Sequence, residues 1–138
     1  MTTTATSQWV THHPHAEPRS LTVELSWTQA DPFTVKITFR TNLDNRSQDV
    51  DWELSRDLLA AGLCAPAGDG DIRIAPSDHE PDQIVVDLRP ADSGQHLRLL
   101  GPAGRVRDFL TATYAQVAPG TETVDVDRAL TQILEAAK

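Results

Sequence analysis

Two stretches of strict alternation between apolar and polar residues constrain the fold of this chain more than any other feature. The apolar side chains are Leu21, Val23, Leu25 and Trp27 in the first stretch, and Phe33, Val35, Ile37 and Phe39 in the second. A period of two places such side chains on one face of a β-strand. Because the turn signal Asp31-Pro32 separates the stretches, the sequence predicts an antiparallel hairpin with one buried face, to which Phe33 belongs.

Shorter strand patterns follow the hairpin. Val50, Trp52 and Leu54 continue the alternation after a polar stretch, residues 42–48, that predicts a second turn. Three more short strands are predicted over residues 72–76, 84–88 and 97–99. The predicted strands therefore all lie within the first hundred residues.

The first 20 residues differ from this pattern. They hold five threonines and a histidine cluster, but also Trp9 and Val10. This mixture predicts a partly flexible N-terminal segment, residues 1–20, with an edge strand at its apolar pair. Residues 21–138 are then predicted to form one domain, because a chain of 138 residues leaves no room for a second sizeable core.

A short helix is predicted directly after Leu54. Ser55 is a good N-cap, Asp57 suits the first helical turn, and Gly62 followed by Leu63 fits a left-handed stop just beyond the helix. In the left-handed conformation a β-branched residue is strained, so replacing Gly62 by Val is expected to destabilise the fold.

The last part of the chain changes to a helical period. Residues 102–117 predict an amphipathic helix opened by Pro102, and a closing helix is predicted behind Asp125. Strands come first and helices last, and no strand-helix-strand unit of crossover length recurs. The sequence therefore predicts an α+β domain with antiparallel strands, one short helix and two C-terminal helices.

Charge and composition argue against several classes of protein. The net charge is −8, which disfavours nucleic acid and anionic lipid as partners. No apolar run approaches the roughly 18 residues of a membrane-spanning helix, and the N-terminus lacks the features of a secretory signal. Cys64 is the single cysteine, so no intramolecular disulfide can form. A cytoplasmic protein is expected.

The motifs of catalysis and of cofactor binding are missing from the sequence. It contains no phosphate-binding glycine loop, nucleophile elbow or metalloprotease helix, which predicts a non-enzyme without a cofactor. The cluster His12, His13 and His15 could bind a divalent metal, but solvated side chains are favoured, and no metal site is assigned. Six acids between Asp69 and Asp87 face one cation, Arg73, which predicts either a solvated acidic face or a surface for a basic partner.

Four segments resemble successive signatures of the SsgA-like protein family of sporulating actinobacteria. They are WELSRDLLAAGL (52–63), PAGDGDIRIAP (66–76), DPFTV (31–35) and FLTATYAQVAPGTE (109–122), and the resemblance extends over about residues 21–136. Around the short helix the chain departs from the family pattern at Leu54 and Ser55, and Phe33 stands where Tyr is usual. The resemblance points most directly to SsgB-type members.

The resemblance implies antiparallel sheets, two in number, with helices in a fold similar to the Whirly type, assembled as a homotrimer. It further implies a non-enzymatic adaptor that is recruited to the division septum and helps localise the tubulin-like protein FtsZ there. The alternative is a single-stranded nucleic-acid-binding protein of Whirly-like fold. The net negative charge disfavours it, and so does the small number of aromatic residues, seven, most of which are on predicted buried faces and could not stack on bases. A regulator that responds to a small molecule also stays open.

Trp52, Arg56 and Asp57 are the candidate partner-binding residues. In a helix that begins after Ser55, Arg56 and Asp57 are expected to point towards solvent or a neighbouring chain. A cation in the first helical turn is mildly unfavourable, so Arg56 suggests selection by a contact outside the helix. Removing the Arg56 side chain is therefore expected to change stability by no more than about 0.5 kcal/mol.

Overall fold

The computed structural model describes residues 2–12, 17–43, 46–68, 70–89 and 96–122. Within these ranges the chain forms seven strands and two helices. In chain order they are β1 (Thr2–His12), β2 (Ser20–Thr28), β3 (Asp31–Leu43), β4 (Arg46–Ser55), α1 (Arg56–Gly62), β5 (Ile72–Pro76), β6 (Gln83–Leu88), β7 (Leu97–Pro102) and α2 (Ala103–Gln116). The predicted α+β class with antiparallel strands is confirmed. The predicted closing helix behind Asp125 lies outside the described residues.

The seven strands form one sheet rather than two, in the order β4-β3-β2-β1-β7-β6-β5. Two antiparallel meanders, β1 to β4 and β5 to β7, meet where β1 pairs with β7 over three positions, from Val10↔Leu100 to His12↔Arg98. The expectation of an edge strand near Trp9 and Val10 is wrong, because β1 has a partner on each side and stands in the centre of the sheet. The same pairing joins the expected two sheets into one.

The β2–β3 hairpin is confirmed, with Val23 opposite Phe39 and Leu25 opposite Ile37. Phe33, however, is 39% exposed. The register between the strands shifts between Ser26 and Thr28, so the alternation does not carry over to the first residues of β3. The predicted turn over residues 42–48 is also shorter than expected, because β3 extends to Leu43 and β4 begins at Arg46.

Helix α1 begins as predicted. The Oγ of Ser55 accepts a hydrogen bond of 2.9 Å from the backbone N–H of Leu58, which satisfies one free donor of the first turn. Its end differs from the prediction: Gly62 lies inside the helix, and the C-cap Leu63 has a right-handed conformation with φ −70°. Gly62 is instead required by close packing, since a Cβ at this position would collide with the side chain of Ile74 in β5.

Helix α2 follows the predicted periodicity, with Pro102 as the N-cap residue rather than the first helical residue. Its buried face packs into one hydrophobic core with the apolar face of the sheet, here called the inner face. The buried residues of α2 are Ala103, Val106, Phe109, Leu110 and Thr113. The ring of Trp9 lies against Gly101 so closely that no Cβ fits there, which seals the joint between β1 and β7. Both described helices thus pack on the inner face, and neither lies on the opposite face of the sheet, here called the outer face.

Candidate functional site

Arg56 is fully buried, with 0% of its surface exposed. The expectation that its side chain points to solvent or to a neighbouring chain is therefore wrong. As the first residue of α1, it extends inward towards α2 and the segment that follows α2. The interaction that selects an arginine at this unfavourable helix position is internal to the protein.

The guanidinium of Arg56 holds three parts of the chain together through hydrogen bonds. Its Nη1 donates to the carbonyl oxygen of Val117 at 2.8 Å, and Nη2 donates to Oε1 of Glu122 at 2.6 Å. A longer contact of 3.4 Å joins Nη1 to Oγ1 of Thr113. The other carboxylate oxygen of Glu122 accepts from the backbone N–H of Gly120 at 2.8 Å, which orients the carboxylate.

Two aromatic rings enclose the same guanidinium. Its central carbon lies 5.4 Å from the ring centre of Trp27 in β2 and 4.8 Å from that of Tyr114 in α2. Both distances are within the range of cation–π attraction, which is stronger for a desolvated cation. The residues Arg56, Trp27, Thr113, Tyr114 and Glu122 are called the Arg56 cluster below. The cluster ties α1 to β2, to α2 and to the segment after α2.

The electrostatics of the Arg56 cluster keep its ion pair charged. The hydrogen bond from Arg56 lowers the pKa of Glu122 below its ordinary value, and the Gly120 N–H contributes in the same direction. Burial raises the pKa of Tyr114, so its phenol stays neutral. With its cation paired to a carboxylate and enclosed by rings, the cluster is arranged to hold helices in place.

Trp52 and Asp57, the other two candidate residues, do not belong to the Arg56 cluster. Trp52 is half-buried on the inner face of β4, opposite Ile37. Asp57 is exposed in the first turn of α1, and Ala61, four residues later, is exposed on the same side of the helix. The structure therefore separates Arg56 and Asp57, which are neighbours in the sequence, into a buried and an exposed role.

An exposed aromatic residue lies beside the start of α1. Thr34 of β3 pairs with Ser55, the residue that precedes α1, so Phe33 reaches the level of the helix. The residues Phe33, Asp57 and Ala61 are called the α1 surface below. Of these, the sequence pointed only to Asp57, because alternation assigned Phe33 to the core.

A second charged group lies on the outer face. The Asp87 carboxylate accepts from Nε of Arg98 at 2.9 Å and contacts Nε2 of His96 at 3.0 Å. Burial raises the pKa of Asp87, but the hydrogen bonds and charges of Arg98 and His96 outweigh this, and the net pKa lies below its ordinary value. Asp87 thus does not belong to a free acidic face, as the sequence suggested. His12 is exposed at the end of β1, and His13 and His15 lie outside the described residues.

The part of the chain that the structure describes holds no group of three side chains placed to bind a metal. Neither described helix is long and apolar enough to cross a membrane. The fold and the Arg56 cluster define a small α+β domain in which a buried arginine fastens two helices to a seven-stranded antiparallel sheet.

Residues 21–122 match the model of the family described as "Streptomyces sporulation and cell division protein, SsgA". The chain therefore belongs to the SsgA family. It is 43% identical over 114 residues to the sporulation-specific cell division protein SsgB of Saccharopolyspora erythraea, a match that covers 81% of this chain and 77% of the relative. With the SsgB protein of Streptomyces coelicolor it shares 39% identity over 112 residues, 80% of this chain and 79% of that one.

Solved structures agree with this assignment. One, from work on mutations in SsgB that correlate to longitudinal cell division during sporulation of Streptomyces coelicolor, has a TM-score of 0.78 and 31% identity, and the match covers 88% of this chain and 94% of that one. The SsgA-like sporulation-specific cell division protein from Thermobifida fusca has a TM-score of 0.83 at 24% identity, over 96% and 95% of the two chains. The latter likeness shows the shared fold.

Proposed function

We propose that this chain is a non-enzymatic adaptor of sporulation-specific cell division that helps to localise FtsZ at septa through direct protein contacts. The observation that carries the proposal is membership of the SsgA family together with relatives named sporulation-specific cell division proteins. Its place of action is the cytoplasmic side of the division septum. The proposal assigns no catalytic step to any residue.

The contact is proposed to use the α1 surface. Phe33 is 39% exposed, and aromatic side chains are enriched at protein interfaces. Asp57 forms no ion pair with another described residue, so its negative charge is available to a partner. Arg56 acts as a positioning residue, because its buried side chain fixes α1 against α2 and makes no contact with solvent.

Self-assembly is proposed to use the β4 edge of the sheet, with a trimer as the expected state. β4 ends the strand order, so one side of its backbone has no partner among the described strands. Val50 on this strand is 44% exposed, and half-buried Trp52 is two residues further on the same face. Light scattering on the purified protein checks this: particles of three chains are expected, and a monomer at micromolar concentration contradicts it.

The FtsZ contact is tested by pull-down with purified proteins. The Asp57→Arg variant is expected to retain much less FtsZ than the wild type, with an unchanged melting temperature. Asp108→Arg, which makes the same charge change at an exposed position of α2, serves as the matched control and is expected to behave like the wild type.

Two results contradict the proposal. One is wild-type protein that fails to retain FtsZ, and the other is equal retention by both variants and the wild type. A single-stranded DNA arm at near-physiological salt tests the alternative, which rests on the implied Whirly-type likeness. Tight DNA binding without FtsZ retention favours that alternative.

A further inference from the structure

The outer face of the sheet carries a row of polar, ionisable side chains that crosses the four strands β5, β6, β7 and β1. Arg73 is directly opposite Asp87, Asp87 is opposite Arg98, and Arg98 is opposite His12 of β1. Residues in such register lie side by side on one face of a sheet. We call these four residues the cationic row, since two guanidiniums and an imidazole accompany one carboxylate.

A second row runs parallel to the first. Each of its members lies two positions along the strand from a member of the cationic row. Ala75 is opposite Val85, Val85 is opposite Leu100, and Leu100 is opposite Val10. These four apolar side chains point to the same face as the cationic row, because the side-chain period of a strand is two. The spacing between this apolar row and the cationic row is about 6.6 Å, twice the rise per residue.

Seven of these eight residues, all except Val10, line a cleft with a volume of about 330 Å³. Its rim includes Pro66, Pro76, Asp78, His79 and Arg89. The helices lie on the other side of the sheet, so the cleft is separate from the α1 surface and from the Arg56 cluster.

Among the described residues that line the cleft, the balance of charge is opposite to that of the whole chain. Three arginines, Arg73, Arg89 and Arg98, accompany two carboxylates, Asp78 and Asp87, although the chain carries a net charge of −8. The carboxylate of Asp87 already forms an ion pair with Arg98. Neither Arg73 nor Arg89 forms an ion pair with another described residue, and both are exposed. Two cations are thus available to a ligand, and an acidic partner is repelled by most of the remaining surface.

We propose that this cleft binds an extended acidic peptide segment of a partner protein, with a carboxylate on the cationic row and an apolar side chain on the apolar row. In an extended peptide, side chains at positions i and i+2 lie on one face about 6.6 Å apart, which matches the spacing of the two rows. Arginine forks are well suited to carboxylates. A nucleic-acid strand fits less well, because the lining offers no Trp, Tyr or Phe ring for a base to stack on.

The test uses a fluorescein-labelled peptide of Asp-Ser-Leu-Ser repeats and measures its fluorescence anisotropy with the full chain. A peptide in which Asn replaces Asp is the uncharged control probe. The double variant Arg73→Ser/Arg89→Ser removes the two available cations. Arg105→Ser/Arg107→Ser makes the same charge change at two exposed positions of α2 and serves as the control variant.

The peptide is expected to bind the wild type and the α2 control equally, and at least about fivefold more weakly to Arg73→Ser/Arg89→Ser. Equal loss in both double variants, no loss in either, or equal binding of the uncharged peptide overturns the proposal. So does the absence of binding to the wild type. Since Asp57→Arg changes the other face of the molecule, it is expected to leave peptide binding intact, which separates this result from the FtsZ test.

Discussion

Two arginine–carboxylate pairs in the described part of the chain differ in their surroundings. In the Arg56–Glu122 pair the side chains are 1% and 6% exposed, whereas in the Arg98–Asp87 pair they are 42% and 10% exposed. The first pair is enclosed by two rings and connects distant parts of the chain, and the second joins neighbouring strands that already share backbone hydrogen bonds. An ion pair that fastens otherwise separate elements is therefore expected to matter more to stability than one that adds to an existing ladder.

The largest expected effect comes from Arg56→Ala. This substitution removes the hydrogen bonds to Val117 and Glu122 and leaves a cavity between Trp27 and Tyr114. It also leaves the mostly buried carboxylate of Glu122 without its cationic partner. We expect the free energy of unfolding to fall by about 3 kcal/mol or more, measured by urea denaturation. This reverses the expectation from sequence.

Two further variants sharpen that result. Arg105→Ala, at an exposed position of α2, is the control and is expected to stay within about 0.5 kcal/mol of the wild type. Arg56→Lys keeps the charge but not the planar fork, so it is expected to recover part of the loss. A stability for Arg56→Ala that equals that of Arg105→Ala shows that the Arg56 cluster does not hold the helices.

The next effect in size is expected for Gly62→Val, which tests how α1 docks onto β5. The added side chain collides with Ile74, and α1 must move away from the sheet. We expect a loss of about 2 kcal/mol in thermal or urea unfolding. Gly104→Val in α2 is the matched control, because an added Cβ there meets no atom within 4 Å apart from its chain neighbours and the backbone of its own helix. If both variants lose the same stability, backbone propensity rather than the contact with Ile74 is the cause.

A smaller loss is expected for Arg98→Ala. Because the Arg98 side chain is 42% exposed, solvent screens its attraction to Asp87, and we expect a loss of up to about 1 kcal/mol. Arg107→Ala provides the exposed control, and urea denaturation of both variants is the measurement. A loss as large as that of Arg56→Ala would remove the distinction between the two pairs.

The last expected effect is a loss of stability of the wild type in acid, which is absent at neutral pH. The pKa of Asp87 lies below its ordinary value of 3.8, and the pKa of Glu122 lies below its ordinary value of 4.5. Their stabilising contributions are therefore complete above those ordinary values and are lost as the pH falls through the lowered pKa of the folded state.

Glu122→Gln separates the two contributions. This variant has already lost the charged partner of Arg56 at pH 7, so its melting temperature should be lower there and should fall less steeply between about pH 5 and about pH 2. Circular dichroism melts at several pH values measure both quantities. Parallel curves for the variant and the wild type contradict the assigned role of Glu122.

The sequence predicts local structure well and long-range pairing poorly. The alternation around Val23 and Ile37 and the N-cap Ser55 act over a few residues, and the structure confirms them. Arg56 failed as a prediction because its partners Glu122 and Trp27 are 66 and 29 residues away, and nothing in its own helix indicates them. The penalty for a cation in the first turn was the available signal, but it pointed to an outside contact when the contact was internal.

The same distinction explains the errors at Phe33 and at the N-terminal segment. The bulge that exposes Phe33 depends on how β2 and β3 meet, which the alternation within one strand does not report. The central place of β1 depends on its pairing with β7, whose residues occur about ninety positions later. Candidate residues of the α1 surface and of the outer cleft likewise become neighbours only through strand register.

The joint between β1 and β7 also has a consequence for how quickly the native state forms. The meander β1 to β4 needs only contacts between consecutive strands, but Val10 must pair with Leu100, which is 90 positions away in the sequence. Closing so long a loop costs chain entropy before any pairing is gained, and such contacts slow folding. The two meanders are thus expected to fold separately, with the Trp9–Gly101 contact forming last. Until then the unpaired edges of β1 and β7 are exposed, which makes this joint the point where aggregation competes with folding.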